Sequence, residues 1–390
     1  MEEKMDPILK ESFPHYLVYC WRFLSLPDPT PVQIDMARFM QNGGRRIGIE
    51  AFRGVGKSWI CSAYATWLLL RDPQCKILVV SASRDRSDAF TIFTKRLIWE
   101  MPILRHLKPD KAKGDRLSNV ACDVRPARPA HAPSVKSVGI TGQMAGSRAD
   151  FIIADDVEVP NNSETALMRE KLLVRIAEMG GAILTPTAQA GEDGGVIFLG
   201  TPQVEDTMYN KLNEQGYEFR IWPAEVPENP ANYQGKLAPM IQKMVDDGIP
   251  AGTPTDPKRF DEVELQERLH EYRASGYALQ FQLDTSLVDA DLHPLKLSDF
   301  IVAATGVEVC NDKFEWSNSP EYELGWAPLC GLPRDKFFGP MFKAEQHSPY
   351  DGAVMYIDPS GRGKDETAYA VVKSLHGFLI IRRWGGDPGG

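Results

Sequence analysis

The chain has 390 residues, 43% of them hydrophobic and 25% charged, which is typical of a globular protein with two or three domains. Its net charge of −9 excludes binding of nucleic acid through overall charge, so any DNA contact must come from local basic clusters. We expect no membrane contact, because no apolar run approaches the ~20 residues of a membrane span and the N-terminus lacks a signal-peptide core. Its six cysteines are scattered without paired metal spacing, which favours free thiols.

Candidate strands and helices alternate between residues 30 and 225. The short apolar runs that predict strands are 47–51, 77–81, 151–154, 196–199 and 219–222. The predicted helices are 34–42, 58–70, 86–99, 164–179 and 209–214. This alternation predicts an α/β fold with a mostly parallel sheet flanked by helices. Ligands of such sheets bind at the carboxyl ends of the strands.

The first of these strands leads directly into a glycine-bearing loop and a helix, the context of a P-loop. The loop is predicted to bind a nucleotide through Arg53, Gly54, Val55, Gly56, Lys57 and Ser58. Glycines let the backbone N–H groups turn toward phosphate oxygens, the lysine supplies charge to the β- and γ-phosphates, and the serine hydroxyl holds Mg²⁺. Two positions are unusual: Ala51 stands where a glycine is expected, and Arg53 lies inside the loop.

Two further polar residues are candidates for the nucleotide site. Gln33 precedes the first strand, and a glutamine amide can pair with both the donor and the acceptor edges of adenine; the alternative is a surface glutamine at a helix entry. Thr201 follows the strand 196–199 and could sense the γ-phosphate; the alternative is an ordinary strand-to-loop turn.

A second nucleotide-site element is the segment Ala154-Asp155-Asp156-Val157-Glu158, which follows an apolar strand. Asp155 is the candidate Walker B residue that holds the metal. The general base is either Asp156 or Glu158, and we favour Glu158 for its longer reach. Arg148 and Arg53 are candidates for stabilising phosphoryl charge, with structural ion pairs as the alternative.

The sequence predicts an ATPase core at 1–226, followed by three further regions. Residues 227–302 form a small helical subdomain with helices at 238–247 and 261–275, and residues 303–350 form an irregular linker. Residues 351–390 read as a three-stranded meander, which we expect to be the incomplete start of a domain. Within it, Asp358 and Asp365 suit one corner of a two-metal nuclease site.

Together these motifs resemble the large terminase subunit of tailed double-stranded DNA phages, especially the short-tailed type in which the subunit is also called DNA maturase B. The motifs are Gln33, the Ala-Phe-Arg-Gly-Val-Gly-Lys-Ser loop, Ala-Asp-Asp-Val-Glu, Leu-Gly-Thr-Pro and Ile-Asp-Pro-Ser-Gly-Arg-Gly-Lys-Asp-Glu-Thr. The missing loop glycine and the loop arginine are usual for this family. One departure is Asp156, since many relatives have Glu directly after the Walker B Asp.

The resemblance implies an ATP-driven motor that uses Mg²⁺ and translocates double-stranded DNA into the prohead, joined to an RNase H-like endonuclease. The implied partners are the portal protein and a small terminase subunit, with five copies of the chain forming a ring on the portal. The implied location is the host cytoplasm and, transiently, the prohead portal, but not the mature virion. Asp358 would be the first nuclease ligand, and we expect the nuclease to be incomplete in this chain.

Two other functions remain open at this point. One is a DNA translocase or helicase that is not linked to capsids, and the other is a P-loop kinase or nucleotide-binding regulator. A helicase usually has further motifs on a second motor domain, which residues 227–300 do not show. A kinase usually has a basic lid and needs no block such as Asp358-Pro359-Ser360-Gly361.

Overall fold

The computed structural model describes residues 6–144, 146–185, 194–204, 207–285, 297–325, 336–359 and 367–387. The chain divides into two compact units, Met1–Asp291 and Leu292–Gly390. The finer boundaries predicted at 226, 302 and 350 stay predictions. None of the helices in the described ranges has the length and apolar character needed to cross a membrane.

The first unit is built on a seven-stranded sheet. Its strands are β1 (Arg46–Ala51), β2 (Ile77–Ser81), β3 (Ala121–Cys122), β4 (Val135–Gly139), β5 (Phe151–Asp155), β6 (Gly195–Gly200) and β7 (Glu218–Trp222). Their order across the sheet is β3-β4-β2-β5-β6-β1-β7. Every neighbouring pair is parallel except β3 with β4 at the edge. The predicted mostly parallel α/β sheet is therefore confirmed.

Helices lie on both faces of this sheet. In the first unit they are α1 (Ile8–Glu11), α2 (Phe13–Phe23), α3 (Pro31–Asn42), α4 (Lys57–Arg71), α5 (Arg84–Glu100), α6 (Pro160–Ser163), α7 (Ala166–Glu178), α8 (Met208–Glu214), α9 (Pro239–Asp246) and α10 (Glu262–Tyr277). Residues of α2 to α5 and α10 share one hydrophobic core, and residues of α7 and α8 share a second.

The strands divide their side chains between the two cores, as the period of two requires. In β2, Val79 belongs to the first core, whereas Leu78 and Val80 belong to the second. All three are buried. A strand covered on both faces reads as a continuous apolar run, which is why the sequence identified these strands.

The central strands and the other predicted helices begin and end within two residues of the predicted positions, whereas α3, predicted from residue 34, begins at Pro31. Helices α1, α2 and α6 and strands β3 and β4 were not predicted. Thr30 caps α3, and its hydroxyl accepts a hydrogen bond from the Gln33 N–H at 3.3 Å. Proline fits the first helical turn because its missing N–H is not needed there. Our prediction did not use Thr30 and Pro31 as a helix start.

In the described part of the second unit, the strands before the meander are short. These are β8 (Val309–Asn311), β9 (Phe314–Glu315), β10 (Phe342–Lys343) and β11 (His347–Pro349), which pair as β8 with β11 and β9 with β10. The meander follows as β12 (Gly352–Asp358), β13 (Thr367–Leu375) and β14 (Phe378–Asp387), antiparallel throughout. The three predicted strands at the end of the chain are thus confirmed.

Candidate active site

The candidate site lies at the carboxyl edge of the central strands. β1 runs into the P-loop, β5 ends at Asp155, and β6 ends at Gly200, one residue before Thr201. The order β5-β6-β1 makes these strands neighbours, and all are parallel. Their carboxyl ends therefore meet at one edge, which brings together residues far apart in sequence.

The P-loop turns sharply into helix α4. Gly54 and Gly56 have φ angles of 89° and 94°, in the left-handed region that favours glycine. Gly56 is the N-cap of α4, and no side chain caps this helix end. Its first N–H groups are therefore left for a ligand, the arrangement by which helix N-termini bind phosphate.

Lys57 lies in the centre of the loop and is buried. Its Nζ donates to the Ala51 carbonyl at 2.6 Å and to the Thr201 hydroxyl at 3.3 Å. Burial lowers the lysine pKa, and the charges of Asp156 and then Asp155 oppose that shift. The lysine thus joins the loop to the segment after β6, and a role of Thr201 at the γ-phosphate stays a prediction.

Ser58 and Asp155 face each other at the start of α4 and the end of β5. The Ser58 hydroxyl donates to Asp155 Oδ2 at 2.9 Å, and Asp155 Oδ1 is buried without a hydrogen-bond partner among the described residues. Burial raises the pKa of Asp155 to about 6, with the charge of Asp156 adding to the shift. A hydroxyl and a carboxylate with a free oxygen are hard oxygen donors, which fits Mg²⁺.

Asp156 occupies the turn immediately after β5. Its φ of 47° is left-handed, which Asp tolerates better than most residues, and its N–H donates to the Leu199 carbonyl at 2.8 Å. The residue is half-buried. Its charge contributes more than that of Asp155 to keeping Lys57 protonated.

Glu158 lies in a different environment from the one a general base needs. Its two oxygens accept hydrogen bonds from the Gln203 N–H at 2.9 Å, the Thr207 hydroxyl at 2.8 and 2.9 Å, and the Met208 N–H at 2.8 Å. The side chain is 1% exposed, and burial raises its pKa. These contacts tie the segment after β5 to the start of α8. They argue against our preference for Glu158 over Asp156, since both oxygens are occupied by protein donors.

Gln33 is buried, so the alternative of a surface glutamine is wrong. Its Oε1 accepts from the Thr30 N–H at 3.0 Å, and its Nε2 donates to the Val55 carbonyl at 2.7 Å. The amide therefore touches the P-loop. Contact with adenine stays a prediction. Arg53 is exposed, and its N–H donates to the Gln280 carbonyl at 2.8 Å.

The remaining predicted residues are Arg148, Asp358 and Asp365. Arg148 is exposed and precedes the amino end of β5, whereas the P-loop follows the carboxyl end of β1. Asp358 is the exposed last residue of β12, and Asp365 lies outside the described residues. No group of three or more His, Cys, Asp or Glu side chains suited to a metal ion occurs in the parts of the chain that the structure describes.

Sequence reasoning missed a contact between the loop and the helical region that follows the sheet. Arg259 Nε donates to the Gly54 carbonyl at 2.5 Å across 205 residues of sequence. The Phe260 ring lies 2.7 Å from the position that a Cβ on Gly54 would take. No local pattern signals such a contact, because the two segments meet only in the folded chain.

Comparisons with known proteins point to one family. Residues 357–390 match the family described as "Terminase Bacteriophage T7, Ribonuclease H-like domain". Over 389 residues the chain is 45% identical to the large terminase subunit of Enterobacteria phage T3, an alignment that covers 98% of this chain and 65% of that protein. The chain therefore spans less than two thirds of this relative's length.

Similar solved structures include two large terminases. The HK97 bacteriophage large terminase is 12% identical, with 95% of this chain and 66% of that chain covered and a TM-score of 0.42. The large terminase ATPase domain of Thermus phage P74-26 is 14% identical, with 68% and 96% covered and a TM-score of 0.37.

Proposed function

Because the chain belongs to the large terminase family of tailed double-stranded DNA phages, we propose that it is the ATP-hydrolysing motor subunit of the DNA-packaging machine. The observation that carries the proposal is the convergence of Lys57, Ser58, Asp155 and Thr201 at one sheet edge, with Ser58 and Asp155 joined at 2.9 Å. This is the arrangement that binds a nucleoside triphosphate and its metal ion.

In this proposal the nucleotide phosphates are bound by the loop N–H groups and by Lys57. The lysine exchanges the Ala51 carbonyl for phosphate oxygens, which satisfies its buried charge better than a neutral acceptor does. Ser58 and Asp155 would hold Mg²⁺, the ion that neutralises charge on the phosphate oxygens. Thr201, already within 3.3 Å of the lysine amine, is suited to respond to the γ-phosphate.

We assign the general base to Asp156 rather than Glu158. The support is the contrast in their surroundings: Glu158 is 1% exposed and accepts from three protein groups, whereas Asp156 is half-buried and acts electrostatically on Lys57. A base must reach the attacking water with a free carboxylate oxygen. Asp156 also directly follows the metal-binding Asp155, as the acidic residue does in many relatives.

The proposed partners are double-stranded DNA, the portal protein of the prohead and the small terminase subunit, with a pentameric ring of this chain on the portal. The proposed location is the host cytoplasm, with transient attachment to the prohead. Endonuclease activity belongs to the proposal for the whole protein, with Asp358 as one metal ligand in the segment that matches the family's RNase H-like domain.

The test is the ATP hydrolysis rate of the chain alone, with duplex DNA, and with DNA plus portal-bearing proheads. We expect proheads to increase the rate. Duplex unwinding without any response to proheads would favour the helicase alternative, and phosphoryl transfer to a metabolite would favour a kinase.

A Lys57→Ala variant is the control for the site itself. It should lose hydrolysis while keeping the circular dichroism spectrum of the parent, because the side chain contacts the loop and Thr201 and takes no part in the hydrophobic core. A near-normal rate of ATP hydrolysis by the folded variant would show that this loop is not a P-loop.

A further inference from the structure

Residues of a later segment contact the P-loop. They lie more than 30 positions after the last strand of the sheet, β7. Arg259 donates to the Gly54 carbonyl, and the Phe260 ring packs over the same glycine. The Phe260 ring also packs edge-on against the Phe52 ring, with the ring centroids 5.6 Å apart. A side chain at position 54 would collide with the Phe260 ring, so this contact and the left-handed φ both require glycine there.

Asp256 lies just before Arg259 and is connected to the P-loop by a second series of hydrogen bonds. Its Oδ2 accepts from the Thr30 hydroxyl at 2.7 Å, Thr30 N–H donates to Gln33, and Gln33 donates to the Val55 carbonyl. The N–H of Arg259 donates to the Asp256 carbonyl at 2.9 Å. Asp256 is thus connected to two consecutive carbonyls of the loop, one through Gln33 and one through Arg259.

The guanidinium of Arg259 retains unused donors. Only Nε is bonded among the described residues, and the side chain is exposed. One terminal nitrogen lies 3.9 Å from the position of a Cβ on Gly56, and Gln33 Nε2 lies 3.2 Å from the same position. A cation and an amide therefore flank the glycine that immediately precedes Lys57. Asp256 Oδ1 is buried without a partner in the described part of the chain, so the carboxylate is held in place by one oxygen.

We propose that Arg259 binds the base end of the nucleotide and that Asp256 is its positioning residue. The proposal rests on the nucleotide site proposed above. Lys57 and Ser58 account for the phosphate end, whereas Arg259 lies beside Gln33, the residue predicted to contact adenine. A planar guanidinium is suited to stack on the face of a purine while the glutamine amide reaches its edge.

The experiment compares two ligands that share the phosphate chain. Calorimetric titration with ADP and Mg²⁺, and separately with inorganic tripolyphosphate and Mg²⁺, measures affinity with and without a base. Arg259→Ala should weaken ADP binding by about 5- to 30-fold and leave tripolyphosphate binding within about twofold. Unchanged ADP affinity, or an equal loss for both ligands, would overturn the proposal.

Arg268→Ala is the matched control. This arginine lies on α10 and pairs with Glu264 and Glu271 at the surface, so its loss should leave both affinities unchanged. Lys57→Ala separates this proposal from the function it rests on. If that variant keeps its affinity for both ligands, the P-loop assignment fails; if it loses both while Arg259→Ala loses neither, only the role of Arg259 fails.

The positioning role of Asp256 is tested by two substitutions at this residue and the same two titrations. Asp256→Ala should reproduce the selective loss of ADP affinity, whereas Asp256→Asn should restore it because the amide oxygen still accepts from Thr30. A purely structural role would lower the affinity for both ligands together with the Tm, and that outcome would contradict the assignment.

Discussion

At the scale of single residues, two acids two positions apart have different surroundings. Asp156 and Glu158 both follow β5, yet among the described contacts only those of Glu158 bring backbone and hydroxyl donors to the carboxylate oxygens. Glu158 holds Gln203, Thr207 and Met208 against the turn after β5. It thereby supports the loop that carries Thr201, whose hydroxyl contacts Lys57.

This contrast predicts that Asp156→Asn lowers the ATP hydrolysis rate by about 10²–10⁴, with ATP binding and Tm unchanged. Asn tolerates the left-handed φ of this position, so the fold should be kept. Glu158→Gln should mainly lower stability, by about 1–3 kcal/mol, because its amide NH₂ would oppose a buried N–H donor. Hydrolysis rates and thermal unfolding of both variants check this. A larger rate loss in a fully stable Glu158→Gln variant would restore Glu158 as the base.

At the scale of elements, β1 carries a buried acid just before the P-loop. Glu50 is in register with Gly200 of β6 and Ile221 of β7, and it is 4% exposed. Burial raises its pKa to about 7; Lys236 opposes the shift, and Glu158 adds to it. Tyr209 also interacts electrostatically with this carboxylate. The Glu50 carboxylate therefore takes up a proton when the chain folds slightly below neutral pH.

Glu50 should make the folded protein less stable as pH rises from about 4.5 to about 7. Over this range the unfolded chain releases the proton while the folded chain keeps it, so stability falls with pH and then levels off. The effect is at most about 3 kcal/mol. In Glu50→Gln the loss of Tm between pH 5 and pH 8 should be smaller than in the parent, with the exposed Glu100→Gln as control. Equal pH dependence in Glu50→Gln and the parent would show that this carboxyl is not the cause.

Strand β12, the first of the meander in the second unit, has no buried residue. Val354, Met355, Tyr356 and Ile357 of β12 are each more than half exposed, although alternate side chains point to opposite faces. Side chains on both faces of this strand are therefore exposed among the residues that the structure describes. By contrast, four of the five residues of β5 are buried.

Amides of β12 should exchange with deuterium much faster than those of β5. Opening a strand that buries little apolar surface costs little free energy, whereas opening the central strand disrupts both cores. Hydrogen exchange followed by mass spectrometry on the whole chain measures this difference. Equal protection of the two strands would mean that burial does not set the stability of the meander.

At the scale of the whole molecule, the proposed ring requires a residue that acts on a neighbouring subunit. Arg148 is exposed and precedes β5 at the edge of the sheet opposite the P-loop. A strand of five residues spans about 17 Å, so this arginine is far from the phosphates of its own subunit. That placement suits an arginine finger in trans.

Mixing Arg148→Ala chains with Lys57→Ala chains on proheads should restore part of the ATPase activity that each variant lacks alone. A mixed interface in which the Arg148→Ala chain supplies the P-loop and the Lys57→Ala chain supplies the arginine would be intact, and a finger contributes about 10³–10⁵ in rate. Arg96→Ala, which removes a surface arginine paired with Glu100, should remain active alone. Absence of restoration at every mixing ratio, with normal assembly, would count against Arg148.

The sequence by itself determined the central strands, most of the helices that pack on them and the motifs within them, but not α1, α2, α6, β3 or β4. Apolar runs identified β1, β2, β5, β6 and β7 because strands buried on both faces carry their signal locally. The P-loop and the acidic segment after β5 were likewise local, since each depends on a few neighbouring residues. The start of α3 at Pro31 was missed although buried Val32 continues the apolar pattern of Met36 and Met40, because the prediction did not use Thr30 and Pro31 as a helix start.

Only the tertiary structure decided which of these residues meet. The order β5-β6-β1 places Asp155, Lys57 and Thr201 together, and no segment of sequence specifies that order. The contacts of Glu158 with Thr207 and of Arg259 with Gly54 join positions 49 and 205 residues apart. Such contacts depend on how separate elements pack. Local sequence patterns therefore predict which side chains belong to the site, whereas the packing determines the hydrogen bonds and burial of each side chain.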